Sequence, residues 1–152
     1  MIKNTTFFKA LRISLGWIFL WPFFDKLLGL GFSTCRIEDG SISVLCEKAW
    51  IMGGSPTTGF LSHSTGPFAS FFQSLAGVQI VDWLFMFGLL GIGLALIINK
   101  HVRFASSMGA LMLILMYLAS AIPPEHNPLI DDHIVYAIAL LYIGLTNKKI
   151  AH

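Results

Sequence analysis

Residues 7–29 read FFKALRISLGWIFLWPFFDKLLG, and this stretch decides the fold class. It has the composition of a membrane-spanning helix, but its uncharged core, from Ile13 to Phe24, is only twelve residues long. At ~1.5 Å per residue the core covers about 18 Å, against a hydrocarbon thickness of about 30 Å. Arg12, Asp25 and Lys26 therefore cannot all reach water easily. Arg12 is expected to snorkel from the near end. Asp25 and Lys26 lie about 20 Å farther along the axis, too far to pair with it. They need partners from elsewhere, and a polar pocket around them is the expectation.

The rest of the chain agrees with a membrane setting. Of its 152 residues 55% are hydrophobic and 12% charged, whereas soluble domains carry about 25% charged residues. The length suits one four-helix domain over residues 1–152. Lys3, Lys9 and Arg12 before an apolar core resemble a signal peptide, but no small-residue cleavage site follows, so the first helix is expected to be retained. Three more apolar stretches follow, at 80–98, 104–122 and 129–146. Gly91 with Ala95, and Ala105 with Gly109, have the small-xxx-small spacing of close helix packing. The fold class expected is an all-α membrane protein, a four-transmembrane-helix bundle with spans at 7–29, 80–98, 104–122 and 129–146.

Residues 30–79 then form a long extracytoplasmic loop. Within it, residues 36–44 alternate polar and apolar around Asp39-Gly40, a hairpin signal. Cys35 and Cys46 flank the hairpin and in an oxidising compartment would form a structural disulfide. A catalytic dithiol is disfavoured, because there is no C-x-x-C pair. Residues 50–61 are too rich in Gly for a stable helix. Gly66-Pro67 opens a short helical pattern through Phe68, Phe71, Phe72 and Leu75. It fits an interfacial or re-entrant helix, or equally an ordinary surface helix under the loop.

Lys3, Lys9, Arg12, Lys100, Arg103, Lys148 and Lys149 all fall at one end of the four spans. The positive-inside rule puts that end, and both termini, in the cytoplasm of a multi-pass cytoplasmic-membrane protein. All eight acids, Asp25, Glu38, Asp39, Glu47, Asp82, Glu125, Asp131 and Asp132, fall at the other end. Asp25-Lys26, Asp82-Trp83, Glu125-His126-Asn127 and Asp131-Asp132-His133 thus converge on one mouth. Asp132 and Tyr136 share a helix face, and His133 with its carboxylate neighbours suits proton handling. The structural alternative is that Asp82, Asp131 and Asp132 only complement or cap helix N-termini. His126, Asp131, Asp132 and His133 are hard or borderline ligands, but their spacing matches no known metal site, and no metal is assigned. A quinone fits better: Trp17, Trp21, Trp83, Phe23 and Phe24 offer aromatic walls, and His or Tyr a hydrogen bond to a carbonyl. The same aromatics also make an ordinary interfacial belt. No nucleotide fingerprint or basic nucleic-acid surface is present.

The residues 25–34 (DKLLGLGFST), 53–61 (GGSPTTGFL), 66–68 (GPF), 81–86 (VDWLFM), 91–96 (GIGLAL) and 127–136 (NPLIDDHIVY) are similar to the DoxX/DoxD-like integral membrane proteins. The resemblance covers nearly the whole chain in order, and its combination of motifs is more specific than any one of them. The family includes the DoxD membrane subunit of thiosulfate:quinone oxidoreductase. The resemblance implies a quinone-linked oxidoreductase subunit with a partner subunit; it supplies no catalytic motif. Site residues therefore rest on the physical reading: Asp25 and Lys26 to orient an anionic substrate or quinone oxygen, Asp132, His133 and Tyr136 for protons, and Trp21, Asp82 and Trp83 around the cofactor. The alternative function is a non-enzymatic bundle that binds a small molecule or lipid, or assembles with another membrane protein or a second copy of itself.

Overall fold

The computed structural model describes residues 4–37, 40–120, 124 and 129–150. Four long helices dominate: α1 (Asn4–Leu28), α4 (Gln79–Ile98), α5 (Val102–Ala119) and α6 (Asp132–Ile150). Two short ones, α2 (Thr58–Ser62) and α3 (Ala69–Ser74), lie in the loop after a single 3-10 turn, Trp50–Met52. Three helices are long and apolar enough to cross a membrane: α1 from Thr6, α4 and α5. Their outer faces are apolar too. Leu84 is 68% exposed and Phe104 70%, a surface suited to lipid rather than water.

α1 runs through Pro22, which cannot donate to the preceding turn. It stops at Gly29, whose φ of +66° is left-handed and whose N–H still bonds the Asp25 carbonyl at 2.7 Å. A side chain at Gly29 would also run into Cys35 Sγ, so glycine is required twice over. α4 and α5 are joined by three residues, two of them left-handed (Asn99 φ 60°, His101 φ 50°), and so run antiparallel. The bundle is two intimate pairs, α1 with α4 and α5 with α6, joined mainly through α4 and α5. Leu15, Phe19, Met86, Leu89, Leu96, Leu113, Leu140 and Ile143 fill the core.

Several expectations change. Arg12 does not snorkel: it is buried, and its Nη1 donates to the carbonyls of Leu96 and, at 3.2 Å, Ile97. It thereby serves carbonyls at the end of α4 that have no partner within the helix. Among the described residues the hairpin is one isolated antiparallel bridge, Arg36 to Ile42; of the expected Asp39-Gly40 turn, Asp39 lies outside the described residues, as does Glu38. The Gly-rich 50–61 segment holds a 3-10 turn and the start of α2, because Thr57 is tethered by Asp82 just before the helix. The third expected span begins two residues early and ends at Ala119, where Ser120 turns extended (ψ 177°). The last helix begins at Asp132 rather than 129. Gly91 meets nothing within 4 Å, whereas Gly93 and Gly16 carry the α1–α4 crossing.

Candidate functional site

Asp25 is 1% exposed, and its carboxylate is held by its own exit loop. The Phe32 N–H donates to Oδ1 at 3.0 Å; the Ser33 N–H and hydroxyl donate to Oδ2 at 2.9 and 2.6 Å. These donors supply what a buried carboxylate demands. Asp82, on the first turn of α4, is bound the same way. Its Oδ1 accepts from the Ser55 hydroxyl at 2.9 Å and from the Thr57 N–H and hydroxyl at 3.2 and 2.6 Å. The long loop is thus tied to the bundle by one carboxylate at the end of α1 and another at the start of α4. The Cys35–Cys46 disulfide (Cα–Cα 5.7 Å) closes the segment between these anchors.

The third cluster is at the start of α6. His133 Nδ1 lies 2.7 Å from Asp131 Oδ2 and 3.5 Å from Asp132 Oδ1. Asp131 Oδ1 accepts from the Ile134 N–H at 3.3 Å, which makes Asp131 the cap of α6. Ligand atoms of Asp131, Asp132 and His133 lie within 4.8 Å of one another, close enough to share a cation. Tyr136 packs its ring on the core rather than hydrogen-bonding to Asp132. Among the described residues no hydrogen bond or ion pair links Asp25 to Asp82, Asp132 or His133. Glu125, His126 and Asn127 lie outside the described residues.

The aromatic candidates form two contact groups. Trp21 sits edge-on to Phe32 (centroids 4.9 Å) and near Trp17 (5.8 Å). Trp83 stacks on Phe87 at 5.2 Å and meets Trp50 edge-on at 4.9 Å.

Lys26 is placed differently from its neighbour. It is half-buried, and its ammonium makes no hydrogen bond or ion pair among the described residues. It lines one end of an apolar groove of about 800 Å³ between α4 and α5. Leu84, Gly88, Ile92, Met108, Met112 and Leu115 form the walls. α2 and α3 cover the Lys26 end, with Leu61 and Phe72 packed on Ala119. Sequence reasoning missed the groove. Its one trace is the clustering of small and flexible residues, Gly88, Gly91, Met108 and Met112, on the facing sides of α4 and α5. The Ser and Thr donors to Asp25 and Asp82 were also missed, although Ser33, Ser55 and Thr57 are visible in the loop as hydroxyls beside glycines. The chain matches no family model, no curated protein and no solved structure.

Proposed function

We propose that the chain crosses the cytoplasmic membrane four times, with α6 as the fourth span and both termini inside, and that it is the quinone-binding subunit of a membrane oxidoreductase. The observation that carries this is the α4/α5 groove ending at a lysine that has no hydrogen bond or ion pair among the described residues. An isoprenoid tail needs a long apolar channel open to lipid, and a quinone carbonyl needs a donor at its end. Lys26 offers that donor, with three N–H groups on a flexible stem. Asp131, Asp132 and His133 would exchange protons with the mouth. A partner subunit would supply the electrons, taken from a sulfur compound if the DoxX/DoxD-like resemblance holds.

A second reading is favoured by one observation. Asp25 is committed to loop donors through both oxygens and Asp82 through Oδ1, which ties up the carboxylate beside Lys26 in structure rather than in chemistry. On that reading the groove holds a lipid or small molecule without turnover. Mass spectrometry of molecules copurified in mild detergent separates the two. The first reading expects an isoprenoid quinone that is lost in Lys26→Met. Retention of lipids only, in protein from quinone-replete membranes, would overturn it.

A further inference from the structure

At the opposite end of the same groove lies a second hollow of about 590 Å³, between the α4–α5 turn and α6. Its polar lining is Asn99, His101, Arg103, Ser107 and Asn147. None of the acids among the described residues borders it. Among the described residues neither the Arg103 guanidinium nor the His101 ring has a hydrogen bond or ion pair. His101 and Phe104 line both the hollow and the apolar groove, so the two spaces meet there. A polar, cationic chamber opening onto an apolar channel is complementary to one kind of molecule: an amphiphile with an anionic head.

We propose that this hollow binds the headgroup of an anionic phospholipid, with an acyl chain entering the adjoining end of the groove beside Phe104 and Met108. The guanidinium fork matches phosphate oxygens in two parallel hydrogen bonds. Asn99, Asn147 and Ser107 are suited to the glycerol and headgroup hydroxyls. A soluble anion would gain nothing from the apolar continuation, and a neutral quinone head would gain little from the positive charge. The site is independent of the quinone reading, whose polar contact is Lys26 at the far end.

The test uses the full chain in mild detergent with an equimolar mixture of phosphatidylglycerol and phosphatidylcholine, and native mass spectrometry of what is retained. The native protein should retain phosphatidylglycerol preferentially. Arg103→Gln should lower the ratio roughly fivefold, the equivalent of about 1 kcal/mol per basic residue near a membrane surface. Lys26→Met should leave the ratio unchanged while abolishing quinone retention, so the two readings fail separately. A salt titration of the native protein covers the case in which the variant misfolds. The preference should fall away by 1 M salt, where the Debye length is about 3 Å. Equal retention of both lipids by the native protein, an unchanged ratio in Arg103→Gln, or a preference that survives 1 M salt would each overturn the proposal.

Discussion

Asp25, itself 1% exposed, accepts three hydrogen bonds from its exit loop. Removing the carboxylate strands two backbone amides and a hydroxyl, and each stranded buried donor costs about 1–3 kcal/mol. These groups are only partly buried, so Asp25→Ala should lower stability by about 2–4 kcal/mol in total. Asp25→Asn keeps one acceptor and should cost about half as much. Thermal unfolding in detergent reads both. Ligand retained per folded molecule should stay at the native level in Asp25→Asn; a loss of ligand without a loss of stability would return Asp25 to the binding site. The need for donors was legible in the sequence from the short uncharged core. Their identity was not. The sequence pointed to partners from elsewhere around a polar pocket, whereas the donors are Phe32 and Ser33 of the adjoining exit loop. These reach back only because Gly29 and Gly31 take left-handed turns that fold the exit loop over the helix end.

Among the elements, the α1–α4 crossing is decided by glycine. A Cβ on Gly93 would lie 2.9 Å from the backbone N of Leu20 and 3.0 Å from the Gly16 carbonyl oxygen. Backbone cannot yield as a side-chain tip can, so Gly93→Ala should destabilise by about 1–3 kcal/mol through overpacking. Gly91→Ala, two residues away, meets open space. It should be neutral or stabilising by up to about 1 kcal/mol, because alanine loses less freedom in a helix. Equal melting temperatures for the two variants would contradict this crossing. The sequence displays small residues along α4 at 88, 91, 93 and 95 and so announces close packing. It does not say which of them faces α1. That depends on the rotation of α4, which is set by contacts such as Arg12 on the Leu96 and Ile97 carbonyls and Asp82 on Thr57. The disulfide was legible because two cysteines flank a loop signal. Its separation of 11 residues gives an expected loss of about 2–3 kcal/mol of local order on reduction. Limited proteolysis should then cut between 36 and 48, and cleavage that is equally fast with and without reductant would show that the bridge does not staple the loop.

At the scale of the whole molecule, charge and packing together specify a topology. The α4–α5 turn is three residues long, so these helices are antiparallel and their shared end carries Lys100, His101 and Arg103. Arg12 bonds the last turn of α4, which brings the beginning of α1 to that same end. Asp25, Asp82, the disulfide and α3 therefore lie at the opposite end, whichever way the bundle faces. This much follows from antiparallel packing alone, and the sequence foresaw it by placing Lys100 and Arg103 at one end of the spans and Asp25 and Asp82 at the other. Orientation is an additional claim, and it rests on the basic residues, which favour the cytoplasmic side. The expected outcome is specific. With the native disulfide intact, a cysteine placed at exposed Ser70 on α3 should react with an impermeant thiol reagent in intact cells. A cysteine at exposed Lys100 should react only after the membrane is opened. The reverse pattern would invert the protein in the membrane while keeping every packing contact. Labelling of both sites in intact cells would break the antiparallel arrangement itself, and with it the assignment of Lys26 and Arg103 to opposite ends of one groove.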